Sequence, residues 1–391
     1  MKKLRKKIER IYHHFVKRVF SILNKHIKEE LFFFESFHGK QYSDNPRAIY
    51  EYINQNYPKY KCVWAVKKGF EEPFIENNIP YVRRMGLKWL LTMPRSKFWF
   101  CNTRLPSWMV KGDNIYVQTW HGTPLKRLGI DIENVMMPGT NTDNYKKNFK
   151  QEALRWDVLI SPNTYSSSIF RRAFAYEGDI LECGYPRNDI LTLTDTKNKA
   201  ERIKKKLGIS GNKKIILYAP TWRDDHYYKK GEYKFDNHFP FNEVLDLDDN
   251  VTILVRLHYL VADNVQSKNY NNRVMDVSKY EDISHLYMIA DILVTDYSSV
   301  MFDYALTEKP MIFFMYDFDL YSQETRGLYL EPFEKLPGYI ATDEHALLCE
   351  IKRIIKEDSY LSTQYKFFIK EYGLISNEGS SKKVCDYLEI Q

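Results

Sequence analysis

Ile292-Leu293-Val294-Thr295-Asp296-Tyr297-Ser298-Ser299-Val300-Met301-Phe302-Asp303-Tyr304-Ala305-Leu306 is the stretch whose reading decides the fold. A short apolar run reads as a buried strand, a polar turn follows, and an apolar helical pattern begins at once. That is the repeating unit of an α/β protein, whose ligands bind beyond the carboxyl ends of parallel strands. Ser298 and Ser299 stand where side chains cap a helix, and where free backbone N–H groups also favour an anion. Asp303 lies four residues after Ser299, on the same helix face.

Three more polar motifs end apolar runs in the same way. In Trp120-His121-Gly122-Thr123-Pro124-Leu125-Lys126, Gly122 permits close backbone approach to a ligand, and Thr123 is expected to cap a helix opened by Pro124. Histidine titrates nearest neutrality, so His121 suits a general base. In Tyr218-Ala219-Pro220-Thr221-Trp222-Arg223, Thr221 offers a hydroxyl and Arg223 a fork of donors, while Trp222 stacks or packs, packing being favoured. In Arg256-Leu257-His258 the arginine and the histidine sit two residues apart on one strand face, suited to gripping a phosphate. Arg187, after Gly184 and Pro186, adds another strand-end cation. Together these motifs point to an anion-handling enzyme acting on a phosphorylated substrate.

The pattern extends along the chain. Strands are expected over 31–34, 60–66, 97–101, 114–119, 157–161 and 179–184, then over 214–219, 251–257, 273–277, 292–295 and 311–314. Helices are expected over 45–56, 284–290 and 300–306, and the tail from 344 onward reads as helical. Strands alternating with helices predict parallel sheets with right-handed crossovers. With 391 residues, two domains are natural. The charged stretch near 193–214 reads as the crossover, giving an N-terminal helix over 1–28, a domain over 29–192 and a second over 193–391.

The net charge of +7 is uneven. Eight Lys and Arg residues among the first eighteen face only Glu9, and apolar residues recur at 4, 8, 11, 15, 19 and 22. That spacing predicts an amphipathic helix, cationic on one face, suited either to an anionic membrane surface or to packing on the domain. It lacks the apolar core of a signal peptide, and no stretch reaches the ~20 apolar residues of a membrane span. The five scattered cysteines form no CxxC pair, which fits a reducing compartment and no metal site. Glycine-rich dinucleotide and P-loop motifs are absent, and Asp224-Asp225 and Asp248-Asp249 read as solvated loops. A nucleic-acid binder is disfavoured, because the basic cluster is confined to one end and forms no continuous stripe.

In this order, WHGTPLK, GYPRND, YAPTWRDD, RLH and TDYSSVMFDYA resemble the CDP-glycerol glycerophosphotransferase family over roughly residues 30 to 375. The resemblance implies a GT-B architecture, two Rossmann-like domains facing a central cleft, and a peripheral enzyme at the cytoplasmic membrane face. It implies His121 as the base that deprotonates the acceptor hydroxyl, which attacks the β-phosphorus of CDP-glycerol and expels CMP. It also implies that Arg187, Thr221, Arg256, His258, Ser298, Ser299 and Asp303 bind CDP-glycerol, with Arg256 and His258 offsetting charge on the phosphoryl oxygens. The candidate set is thus His121 and His258 for catalysis. For substrate it is Gly122, Thr123, Pro124, Arg187, Thr221, Trp222, Arg223, Arg256, Leu257, Ser298, Ser299 and Asp303, with no cofactor or metal.

The implied acceptor is an undecaprenyl-linked disaccharide or a glycerol phosphate polymer. Polymerases of the family usually carry an extra N-terminal domain, so the length favours a teichoic acid primase. A glycerol or ribitol phosphate polymerase, a capsule enzyme and a GT-B glycosyltransferase using a nucleotide sugar are the alternatives.

Overall fold

The computed structural model describes residues 2–106, 108–135, 141–192, 196–221, 227–229, 232–233, 238–257, 272–318, 327–330, 335–357, 362–373 and 379–391. The chain forms two compact units. The first comprises Met1–His121, Leu128–Asp189 and Ser376–Gln391, and the second Gly122–Arg127 and Ile190–Ile375.

The first unit is built on a seven-stranded, wholly parallel sheet. Its strands are β1 (Lys28–Glu35), β2 (Lys61–Val66), β3 (Tyr81–Arg83), β4 (Ser96–Cys101), β5 (Ile115–Gln118), β6 (Val158–Ser161) and β7 (Asp179–Glu182), in the order β3-β2-β1-β4-β5-β6-β7. Near-continuous apolar strands are what a sheet covered on both faces demands. Phe32, Phe34, Trp64, Phe98 and Phe100 form its aromatic core, with the rings of Phe34 and Phe100 stacked at 4.9 Å. Helix Asp44–Asn56 lays Ile49, Tyr50 and Ile53 on this core. The last helix, Ser380–Tyr387, brings Val384 and Cys385 into the same core. It starts on Asp189, whose carboxylate accepts the N–H groups of Ser380 and Ser381 at 2.7 and 2.8 Å.

The N-terminal helix, Lys2–Leu23, packs on this unit through Val16 and Phe20, both fully buried. Phe20 lies 5.6 Å from the Trp89 ring and 6.5 Å from Trp99. Ile11, Phe15 and Ile22 of the stripe expected to be greasy face outward, 61%, 57% and 62% exposed. The helix therefore has two apolar stripes, and the tryptophans select the one containing 16 and 20.

The second unit has a six-stranded parallel sheet in the order β12-β11-β8-β13-β14-β15. Its strands are β8 (Lys214–Tyr218), β11 (Val251–Val255), β12 (Val274–Asp276), β13 (Ile292–Thr295), β14 (Met311–Phe314) and β15 (Tyr339–Ala341), with β9 (Tyr227–Lys229) and β10 (Glu232–Tyr233) as a separate antiparallel pair. Sequence patterning located β8, β11, β12, β13 and β14. It missed β3, β9, β10 and β15, strands of three residues or fewer; β12, as short, was found because it lies within the longer stretch 273–277.

A further expectation fails at Pro124. Pro124 opens no helix, so Thr123 caps none. The segment instead runs beside Gly327–Tyr329, with a bridge between Lys126 and Leu328. Tyr329 N–H donates to the Leu125 carbonyl at 2.8 Å and Arg127 N–H to the Gly327 carbonyl at 3.0 Å. Backbone groups satisfied by a neighbouring strand segment are not available for a helical turn.

Candidate active site

His121 lies just past β5, at the carboxyl end of the first sheet. Trp120, before it, has a left-handed φ of 51°, and its indole stacks on the His121 ring at 4.6 Å. Trp120 is itself packed among Phe149, Trp156, Phe170 and Phe174. Asn45, from the helix after β1, donates to the carbonyls of Thr119 and Trp120 at 3.1 Å each. These contacts fix the turn that presents the imidazole.

The His121 Nδ1 is 2.7 Å from the Asn102 carbonyl, at the end of β4. A carbonyl only accepts, so Nδ1 carries the proton and Nε2 keeps its lone pair. The residue keeps an exposed edge, yet dense surroundings lower the imidazole pKa from its ordinary value. That desolvation is opposed by Asp44 and by the bond to Asn102, and reinforced by Arg187 and Arg104. A neutral ring with a free Nε2 is what a general base requires.

Arg187 belongs to the same cluster. Its Nη1 donates to Asp44 at 3.1 Å and to the His121 carbonyl at 2.9 Å, and its backbone N–H donates to Asn45. The side chain is buried, with its guanidinium 4.7 Å above the Tyr185 ring. Thus Arg187 braces the backbone of His121 from below.

The remaining described candidates cluster in the second unit. The Thr221 N–H donates to Asp296 at 2.8 Å, and Thr295 Oγ1 donates to the Ala219 carbonyl at 2.7 Å, which ties the ends of β8 and β13 together. Ser298 Oγ accepts a long bond, 3.5 Å, from the Val300 N–H. Ser299 precedes helix Val300–Tyr304 without making a side-chain cap. Gly122 lies against it: a Cβ on Gly122 would stand 3.2 Å from Ser299 Oγ. Two motifs 177 positions apart in sequence therefore meet through a glycine. Asp303 and Thr123 are buried, and Pro124 lies in the bridged segment.

Arg256 and Leu257 stand just beyond β11, which ends at Val255. Arg256 Nη1 donates to the carbonyls of Val277 and Tyr280, and the Leu257 N–H donates to Ser278 at 2.9 Å. Burial lowers the Arg256 pKa. One arm of its fork locks β11 to the loop after β12, and the other makes no bond to a described residue. Trp222, Arg223 and His258 lie outside the described residues.

Sequence reasoning missed Asp44, Asn45 and Asn102, the groups that hold His121 and Arg187 in place. Asn102-Thr103-Arg104 follows β4 as the recognised motifs follow their strands, and the same strand-end rule applied there finds it. Among the described residues no group of His, Cys, Asp and Glu side chains is arranged to hold a metal ion.

A family model described as CDP-Glycerol:Poly(glycerophosphate) glycerophosphotransferase matches residues 17–390. The teichoic acid glycerol-phosphate transferase of Staphylococcus aureus (strain NCTC 8325 / PS 47) is 46% identical over 385 residues, 97% of each chain. The teichoic acid poly(glycerol phosphate) polymerase of Bacillus spizizenii (strain ATCC 23059 / NRRL B-14472 / W23) is 42% identical over 403 residues, covering 98% of this chain and all of that one. A solved structure of the wall teichoic acid polymerase TagF, a histidine variant soaked with CDPG, superposes with a TM-score of 0.87 at 36% identity, over 99% of this chain and 97% of that one.

Proposed function

Because the chain belongs to the CDP-glycerol:poly(glycerophosphate) glycerophosphotransferase family, we propose that it transfers glycerol phosphate from CDP-glycerol to a membrane-held teichoic acid acceptor, with His121 as base. Nε2 of His121 takes the proton of an acceptor hydroxyl, whose oxygen attacks the β-phosphorus. The bond between that phosphorus and the oxygen bridging to CMP breaks, and CMP leaves with the electron pair. The observation that carries this reading is the Asn102 carbonyl holding Nδ1, which leaves Nε2 as the basic atom.

In this reading the second unit binds the donor. Ser298, Ser299 and Thr221 supply hydroxyls and backbone N–H groups to the pyrophosphate, and the free arm of Arg256 offsets charge on the phosphoryl oxygens, with His258 assigned the same work. Asp303 binds the glycerol or ribose hydroxyls. Arg187 acts through His121, which departs from the donor contact implied by resemblance.

Length does not separate primase from polymerase, since a polymerase of matching length is 42% identical from end to end. We assign the chain to extension of an acceptor already carrying glycerol phosphate, a reading supported by that identity to a polymerase over 98% of this chain. The helix Lys2–Leu23 is assigned to the cytoplasmic membrane face, supported by its outward Ile11, Phe15 and Ile22, by Lys17 and Arg18, and by exposed Leu87 and Leu91 on the adjacent helix Leu87–Thr92. No helix among the described residues is long and apolar enough to cross a membrane.

The test is CMP release with CDP-glycerol, CDP-ribitol or a UDP-sugar, on lipid disaccharide with and without a first glycerol phosphate. CMP release confined to CDP-glycerol and faster on the primed lipid supports the reading; UDP release contradicts it. Binding to anionic liposomes undiminished by removal of the first 28 residues contradicts the membrane assignment.

A further inference from the structure

Beside His121 the first unit carries a second set of polar side chains that this reaction scheme leaves without a role. Phe37, His38 and Gly39 follow β1 with φ of 46°, 59° and 78°, three left-handed residues in succession. Such backbone is unfavourable for non-glycine residues and persists where surrounding structure imposes it. Here Asn102 Oδ1 accepts the Phe37 N–H at 2.9 Å, Thr103 Oγ1 accepts the His38 N–H at 3.3 Å, and the Gly39 carbonyl accepts the Lys67 N–H at 2.7 Å. The turn leaves His38 exposed, with its Nδ1 3.5 Å from the Thr103 hydroxyl.

Arg104 comes next along the end of β4. Its guanidinium lies 4.4 Å over the Phe149 ring and 5.5 Å from the Tyr145 ring. Among the described residues no carboxylate or carbonyl accepts its N–H groups. Glu152 holds the same loop through the Leu105 N–H at 3.0 Å, and Arg155 holds it through the carbonyls of Leu105, Pro106 and Met109. By contrast Arg84, at the end of β3, is neutralised by buried Glu35 at 2.9 Å. Although the residue keeps an exposed edge, dense surroundings, then Arg84, Lys40, Arg104 and His121, lower the His38 pKa to about 4. Arg104 also depresses His121, so its charge reaches both imidazoles.

We propose that Arg104, with His38 beside it, forms a subsite for a phosphate group of the acceptor, holding that group while the acceptor hydroxyl faces Nε2 of His121. A guanidinium laid on aromatic faces keeps its fork oriented, and such a fork matches two phosphate oxygens. His38 is neutral at physiological pH and offers a hydrogen bond without competing for the charge. The subsite rests on His121 being the base of a phosphotransfer. The phosphate belongs either to a glycerol phosphate unit already added or to the pyrophosphate of a lipid carrier, which share the anionic phosphoryl oxygens that a guanidinium binds.

The test uses the full chain with CDP-glycerol and three acceptors: a lipid disaccharide bearing one glycerol phosphate, the same lipid without it, and a soluble glycerol phosphate disaccharide lacking pyrophosphate. Arg104→Met keeps the apolar stem and is expected to raise the acceptor KM about tenfold or more, as for loss of a charged hydrogen bond, with the CDP-glycerol KM unchanged. Arg104→Lys is expected to recover part of the loss, and His38→Gln to raise the acceptor KM less. A penalty on the soluble acceptor assigns the phosphate to the polymer; a penalty confined to lipid acceptors assigns it to the carrier. Unchanged acceptor KM in both Arg104 variants, with CMP release intact, overturns the subsite. Absence of CMP release from the unaltered chain overturns the underlying reading instead.

Discussion

The His121 imidazole and the Asn102 carbonyl, 2.7 Å apart, bind the ends of β5 and β4 into one unit of function. The same Asn102 accepts the Phe37 N–H through its side chain, so one residue orients the His121 ring and anchors the strained turn after β1.

Replacing His121 with Ala removes the atom proposed to accept the acceptor's proton. The expected loss in CMP release is about 10²–10⁴-fold, the usual worth of a positioned general base. Steady-state kinetics check it, and CDP-glycerol affinity by calorimetry is expected to stay within about twofold, because the donor contacts proposed above all belong to the second unit.

Acid is expected to inactivate the enzyme with a midpoint below the ordinary histidine value of 6.5, since the His121 pKa is lowered and the protonated ring has no lone pair. Asp44 raises that pKa, and Arg187 lowers it. Asp44→Asn therefore removes a raising charge and leaves Arg187 uncompensated, two effects of one sign. The acid limb of a kcat/KM profile is expected to move to lower pH.

Gly122→Ala sets a methyl 3.2 Å from Ser299 Oγ, closer than ordinary contact. The CDP-glycerol KM is expected to rise severalfold without loss of thermal stability. Ser299→Ala alone is expected to cost about 1 kcal/mol of donor binding. In the double variant the methyl no longer meets a hydroxyl, so the two effects add to less than their sum, which a double-mutant cycle measures.

Asp189→Ala leaves the Ser380 and Ser381 N–H groups without their acceptor at the start of the last helix. The expected cost is about 1–2 kcal/mol of stability, that of a lost N-cap, read by urea unfolding of the full chain. Activity per folded molecule is expected to stay unchanged, because the helix contributes packing to the core through Val384 and Cys385.

By itself the sequence determined the parallel α/β class and most strands, because a strand buried on both faces must be apolar throughout and that pattern is local. It also marked His121, Ser298 and Ser299, since parallel strands deliver polar residues to one end of a sheet. Tertiary structure alone decided which strand end supports which. Asn102 reaches His121, Asp44 draws Arg187 beneath it, and Gly122 lies on Ser299, all through contacts between residues remote in sequence. It also decided that Pro124 begins no helix, because the partner at residues 327–329 takes those backbone bonds. Local periodicity encodes which face is buried; which partner buries or binds it depends on chain crossings that no short window contains.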